Sequence, residues 1–260
     1  MRSLFAIVVL AALAGCARCG PPGETVGGME RGPADTRASD DSALAALRRE
    51  MVRTQIEARG VQDTAVLRVM REVPRHRFVP EAPPRVAYSD RPLPISHGQT
   101  ISQPYIVAFM AEAADIGPAE RVLEIGTGSG YGAAVLAGLA AEVYTIEIVP
   151  ELAESARRTL EHAGYANVRV LAGNGWLGWP EHAPFDAIVV TAAPPEVPPA
   201  LVDQLALDGV MVVPVGEVLQ MLRVLRKTTR GLVEEASLPV QFVPMIGRPR
   251  DTVGVSADGR

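Results

Sequence analysis

The chain has 260 residues, 48% of them hydrophobic and 21% charged, with a formal net charge of −5 at pH 7. These values are typical of a globular protein with one main domain, and the acidic balance argues against a nucleic-acid partner. The two cysteines are Cys16 and Cys19, so the rest of the chain has no disulfide, thiol nucleophile or cysteine metal site.

The N-terminus resembles a bacterial export signal. An apolar run covers residues 4–14; as a helix it would measure roughly 16 Å, too short for a hydrocarbon core of about 30 Å. Residues 13–16 (Leu-Ala-Gly-Cys) resemble a lipobox, in which Cys16 would be lipidated. The alternative is a wrongly assigned start codon, with Met29 or Met51 further along.

Composition predicts four parts: a signal-like segment (1–16), a flexible Gly/Pro/Asp-rich linker (17–41), the main domain (42–249) and a tail (250–260). In the main domain Ser42 is the predicted N-cap of a helix that ends at Gly60, and a second helix covers 63–71. Six prolines between residues 74 and 94 then predict an irregular loop region.

From residue 121 onward, apolar strands alternate with helices, and two further strands follow. Such alternation predicts an α/β fold with a mostly parallel, Rossmann-like sheet, antiparallel C-terminal strands and an N-terminal helical and loop extension. The predicted strands are 121–125, 143–147, 168–171, 185–191, 209–215, 219–228 and 233–243, and the predicted helices are 131–139, 151–162 and 198–207.

A glycine-rich turn follows the first of these strands. Gly126, Gly128 and Gly130 let a ligand lie on backbone N–H groups at a helix N-terminus. Glu124, two residues earlier, would attract an ammonium group and repel a pyrophosphate. Glu147 ends the next strand, where it can accept from a ribose diol. The spacing therefore favours S-adenosylmethionine as the cofactor.

Other strand ends contribute to the same edge of the sheet. Ile148 follows Glu147, and Asn174 with Gly175 follows the third strand. An amide side chain can both donate to and accept from an adenine ring, so Asn174 is a candidate adenine contact. The alternative for this residue is a plain Asn-Gly turn.

A second motif lies between the loop region and a helix that starts near Pro104. It contains Thr100, Ile101 and Ser102, with His97 as the one histidine near the site. Ser102 precedes the proline by two residues, so an N-cap is its alternative role. The histidines show no metal-ligand spacing, and we expect no metal.

Residues 94–104, 121–130, 173–176 and 183–194 together make the chain resemble the protein-L-isoaspartate O-methyltransferase family over about residues 42–249. The resemblance implies methyl transfer from S-adenosylmethionine to the free α-carboxylate of L-isoaspartyl residues in damaged proteins and peptides, and a cytoplasmic location. It also implies that Ser102 is the active-site serine.

By the same resemblance, Gly126, Glu147, Asn174 and Gly175 match positions that line the cofactor, while His97, Thr100 and Ile101 are weaker candidates for substrate binding. The sequence departs from the family at two positions. Asn174 stands where Asp is common, which puts adenine binding in doubt, and Ser96 stands where Gly is usual.

Two alternative functions stay open. A nicotinamide-dependent oxidoreductase could use residues 128–133 as its glycine motif, although Lys227 is the only lysine and no Tyr-x-x-x-Lys pair exists. A catalytically inactive S-adenosylmethionine-binding lipoprotein is suggested by Cys16, since an exported enzyme would lack a cytosolic cofactor. Membrane association is expected only if Cys16 is lipidated.

Overall fold

The structure, a computed structural model, describes residues 33–249, with side chains from residue 42 onward. The signal-like segment with Cys16, most of the predicted linker and the tail 250–260 lie outside the described residues. No helix among the described residues is long and apolar enough to cross a membrane.

The first helix, α1, covers Pro33–Met51, so the prediction that it starts at Ser42 is wrong, and linker residues 33–41 are helical. Proline is tolerated in the first helical turn, and no glycine or proline interrupts residues 34–59. The helical path continues through a wider π turn and then a tighter 3-10 turn, and Gly60 ends it at φ 100°. Helix α2 (Thr64–Glu72) follows, with Asp63 as its N-cap.

The proline-rich region is mostly irregular, as predicted. It contains one short helix, α3 (Pro84–Ala87), and a small antiparallel pair of strands, β1 (Leu93–Pro94) and β2 (Thr100–Ile101). Helix α4 (Pro104–Ala113) comes next and packs against α2 and the turns that follow α1.

The predicted sheet is confirmed. Seven strands are arranged in the order β5-β4-β3-β6-β7-β8-β9, parallel from β5 to β7 and antiparallel at β8 and β9. The strands are β3 (Arg121–Ile125), β4 (Glu142–Glu147), β5 (Val168–Ala172), β6 (Phe185–Val190), β7 (Leu205–Val215), β8 (Gln220–Thr228) and β9 (Gly231–Val240). The intervening helices are α5 (Tyr131–Ala137), α6 (Pro150–His162) and α7 (Pro199–Gln204).

The boundary between α7 and β7 differs from the prediction of a helix over 198–207. Helix α7 ends at Gln204, and Leu205 already pairs with Phe185 in β6. The pairing register shifts between Phe185 and Ala187, which lets the strand begin earlier than residue 209. The last strand also ends at Val240, three residues before the predicted end.

Both faces of the central strands β3, β4 and β6 are buried. Val122 and Val143 face the larger apolar cluster, which includes α2, α4 and α5, while Leu123 and Ile125 face the smaller cluster beside α7. The strand order reverses between β3 and β6, and open α/β sheets bind ligands beyond the carboxyl ends of their strands at this point.

Candidate functional site

Two adjoining cavities open at the carboxyl ends of the parallel strands. The larger has a volume of about 740 Å³ and the smaller about 70 Å³. Gly126, Gly128 and Thr191 contribute to the walls of both. The structure therefore brings the glycine turn predicted from the sequence to the junction of a wide chamber and a narrow one.

The backbone of the turn requires glycine. Gly126 has a φ of 98°, and a Cβ there would lie 2.4 Å from Oγ1 of Thr191. That Oγ1 lies 2.8 Å from the Gly126 carbonyl oxygen and 3.0 Å from that of Ile125, so β6 and β3 are tied together at their ends. Gly128 and Gly130 also have positive φ, and Gly130 stands at the N-cap position of α5.

Glu124 is buried at the inner end of the larger cavity. Thr145 donates a hydrogen bond of 2.6 Å to its Oε2, and Thr127 lies 2.6 Å from the Thr145 hydroxyl. Burial raises the pKa of Glu124 to about 8, the Thr145 hydrogen bond opposes this rise, and the charge of Glu147 adds to it. A cation bound here would lower that pKa again by stabilising the carboxylate.

Glu147 holds the glycine turn to the end of β4. Its Oε2 accepts from the Gly128 backbone N–H at 2.8 Å, and its Oε1 accepts from the Val149 N–H at 3.1 Å. Glu147 and Ile148 both line the smaller cavity. Because an ionised carboxylate offers about four acceptor positions, two remain for ligand hydroxyl groups.

Gly175 also lines the smaller cavity, next to Asn174. A Cβ on Gly175 would lie 2.3 Å from Cγ2 of Ile125, which explains the glycine. The Asn174 amide accepts from the Trp176 N–H at 3.0 Å and donates to the Gly247 carbonyl at 2.7 Å. This is the alternative Asn-Gly turn role; an adenine contact through the remaining N–H stays a prediction.

Ser102 lines the larger cavity, and its alternative role as an N-cap is wrong. The N-cap position of α4 is Gln103, whose side chain makes no capping hydrogen bond. Asp90 takes over this role, because its Oδ1 accepts from the Tyr105 N–H at 3.0 Å. The Ser102 hydroxyl is therefore not needed to cap the helix.

The neighbours of Ser102 differ in position. Thr100 lines both cavities, and Ile101 is buried in the wall of the larger. His97 is exposed at the tip between β1 and β2, with a φ of 59°. His97 is not one of the described residues that line the two cavities.

Sequence patterns missed a cluster at the mouth of the larger cavity. The Arg59 guanidinium carbon lies 3.5 Å from the centre of the Tyr105 ring, and Nη1 lies 2.5 Å from the Asp90 carboxylate. Arg59, Tyr105 and residues 238–244 all line the cavity. These residues are far apart in the chain, and no local pattern connects them.

Comparison with known proteins identifies the family. Residues 46–250 match the model for protein-L-isoaspartate(D-aspartate) O-methyltransferase. The chain belongs to this family. A protein-L-isoaspartate O-methyltransferase from Gloeobacter violaceus is 61% identical over 75% of this chain and 96% of the relative. One from Picosynechococcus is 56% identical over 78% of this chain and 91% of the relative.

Solved structures agree with the family assignment. A protein-L-isoaspartate O-methyltransferase structure aligns with a TM-score of 0.71 and 31% identity, covering 76% of this chain and 66% of that chain. A Plasmodium falciparum structure described as a protein-L-isoaspartate O-methyltransferase in complex with S-adenosyl-L-homocysteine aligns with a TM-score of 0.68 and 26% identity, covering 76% of this chain and 98% of that chain. This chain is accordingly an S-adenosylmethionine-dependent methyltransferase, and the oxidoreductase and inactive-lipoprotein alternatives find no support.

Proposed function

We propose that this chain methylates the free α-carboxylate of L-isoaspartyl residues in damaged proteins, and that Ser102 positions that carboxylate. Two observations support this role of Ser102: it lies in the wall of the larger cavity, and Asp90 caps α4 in its place. A hydroxyl that is free from capping is available to donate to a carboxylate oxygen.

The residues present fit S-adenosylmethionine. Gly126 and Gly175 present bare backbone to the cavities, because a Cβ at these positions would meet Thr191 at 2.4 Å or Ile125 at 2.3 Å, respectively. Glu147, Ile148 and Gly175 would hold the nucleoside, with the ribose hydroxyls on the free acceptor positions of Glu147. Glu124 would receive the ammonium group. When bound, the cofactor supplies a methyl group on a positively charged sulfur.

The site needs no general base. A carboxylate is already a nucleophile at neutral pH, so the task of the protein is alignment and exclusion of water, which together can contribute about 7–11 kcal/mol. Ser102 fixes the carboxylate by a hydrogen bond and forms no covalent intermediate. The apolar walls formed by Ile101, Ile106 and Val240 exclude water around it.

We also propose a cytoplasmic location, because the cofactor is a cytosolic metabolite. The acidic net charge argues against a nucleic-acid partner, and the reaction requires no metal because the carboxylate and the sulfonium are both already activated. Membrane attachment would depend on lipidation of Cys16, which lies outside the described residues.

This function is tested by a methylation assay of the full-length protein on two peptides that differ at one peptide linkage. We expect methyl transfer to a peptide with one L-isoaspartyl residue and none to its normal aspartyl counterpart, with methanol released as the ester closes to a succinimide. Equal labelling of both peptides, or of neither with the cofactor bound, would contradict the proposal.

A further inference from the structure

The larger cavity has an acidic side chain at its buried end and a cationic side chain at its exposed end. Among its lining residues in the described part of the chain, Glu124 is the only acidic side chain and Arg59 the only cationic one. Glu124 is buried at the inner end, whereas the Arg59 side chain is 45% exposed at the mouth. An anion is thus attracted to the entrance, and a cation is attracted to the inner end when Glu124 is ionised.

Arg59 is held in place by its surroundings. It belongs to the 3-10 turn that Gly60 ends, and the guanidinium lies on the Tyr105 ring. The following residues are fixed to α4, because the Gln62 and Asp63 backbone N–H groups both donate to Glu112, at 2.6 Å and 2.7 Å. The side chain therefore projects from a fixed backbone, which lowers the entropy lost on binding.

Asp90 does not fully neutralise Arg59. The same carboxylate accepts from the Tyr105 N–H at the positive end of α4 and from the Gln103 amide at 2.7 Å. Only Nη1 of Arg59 contacts Asp90; within residues 42–249 its Nε and Nη2 have no hydrogen-bond partner. These two N–H groups form an edge that matches a carboxylate.

We propose that Arg59 is a specificity-determining residue, which binds an acidic side chain of the substrate close to the isoaspartyl residue. The proposal rests on the proposed function above. The reacting carboxylate is a poor occupant of the same edge, because two charge-assisted hydrogen bonds from a guanidinium would stabilise its negative charge and make the oxygen that attacks the methyl group less nucleophilic. A neighbouring carboxylate has no such conflict.

The test compares kcat/KM for isoaspartyl peptides that carry Glu or Gln within two residues on either side. In the wild type we expect Glu to be preferred by about 3- to 5-fold at low salt at one of these positions, falling towards equality at high salt. Arg59→Gln should abolish this preference, and Arg59→Lys should keep part of it. Arg157→Gln, on the surface of α6 and with the same charge change, should leave it intact.

The ratio of two peptides on one variant is insensitive to partial unfolding, which lowers both rates equally. A wild-type enzyme that treats Glu and Gln alike would overturn the role of Arg59 and leave the function standing. So would an Arg59→Gln variant that keeps the wild-type preference for Glu over Gln, whatever its absolute rate, since a group other than Arg59 would then recognise the acidic side chain. Absence of methylation of any isoaspartyl peptide would overturn the function itself.

Discussion

Asp90 leaves the Ser102 hydroxyl free for the role that we propose for it. Serine two residues before a helix-opening proline is typical of capping, yet Asp90 makes the capping contact to α4 from a loop. The two roles are therefore separated between two residues, and mutation can distinguish them.

We predict that Ser102→Ala lowers kcat/KM for an isoaspartyl peptide by about 10- to 100-fold, the range for losing a hydrogen bond to a charged group. Its free energy of unfolding should change by less than about 0.5 kcal/mol, because no hydrogen bond of the fold is lost. Asp90→Ala should instead lose about 0.5–2 kcal/mol of stability.

Ser102→Asp provides the sharpest contrast. If Ser102 served as a cap, Asp would make the same capping contact and the variant would keep its stability and activity. If Ser102 positions a carboxylate, the added negative charge repels the substrate and the variant is less active than Ser102→Ala. Thermal melts and initial rates of the three variants decide between these outcomes. An active Ser102→Asp enzyme would contradict the positioning role.

Glu124 should make cofactor binding depend on pH. With a pKa of about 8 it is mostly protonated at neutral pH, and only its ionised form attracts an ammonium group. Binding therefore releases a proton, so affinity for S-adenosylhomocysteine rises with pH, by about tenfold per unit at most, and levels off near the pKa. Calorimetry in two buffers of different ionisation enthalpy measures the released proton.

Glu124→Gln is the matched control, because it keeps the shape and removes the titration. We expect weaker binding that no longer varies with pH across the same interval. If the affinity of the wild type does not change with pH and no proton is released, Glu124 is already ionised in the free protein and the prediction is wrong.

At the scale of elements, helix α5 packs its first turn directly on Glu124. Gly132 is helical, and alanine there would usually stabilise the helix by about 0.5–1 kcal/mol. A Cβ would however lie 2.2 Å from Oε1 of Glu124. We predict that Gly132→Ala destabilises the protein and weakens S-adenosylhomocysteine binding.

The same substitution in a Glu124→Ala background should become stabilising, since the clash is gone and the helix propensity remains. Urea unfolding of the four proteins gives the coupling, which we expect to exceed about 1 kcal/mol. A Gly132→Ala variant that is more stable in the wild-type background would show that Glu124 moves aside at little cost.

Elements with strong local patterns could be predicted from the sequence. The strands that became β3, β4 and β6 have apolar residues on both faces, and the glycine turn gave the position of the site. The end of α7 could not be predicted, because Leu205 joins β7 only through its pairing with Phe185. The start of α1 was missed because residues 33–41 resemble a polar linker.

The candidate site shows the same division. Glu124, Gly126, Glu147 and Gly175 lie at or just beyond the carboxyl ends of parallel strands, so parallel topology places them together. Arg59 and Asp90 meet across 31 residues of chain, and Asp90 meets Tyr105 across 15. Such contacts depend on how the N-terminal extension packs on the sheet. The spacing of residues in the sequence does not predict this packing.

At the scale of the whole molecule, both cavities join strand ends to the loops and α4, so a ligand there should stabilise the entire domain. S-adenosylhomocysteine at 100 times its Kd should add about 2.7 kcal/mol of stability and raise Tm by roughly 5–10 °C. NAD at the same concentration should give no shift. A shift with NAD alone would favour the oxidoreductase alternative.

The central claim is that this chain esterifies the α-carboxylate of an isoaspartyl residue. The most direct measurement is mass-spectrometric location of the methyl group on a peptide that contains an isoaspartyl residue, a glutamate and a free C-terminus, with early quenching at low pH. The account predicts one methyl ester, on the isoaspartyl α-carboxylate, which decays to a succinimide at that residue. A methyl group on the glutamate side chain, on the C-terminal carboxylate or on nitrogen would contradict it.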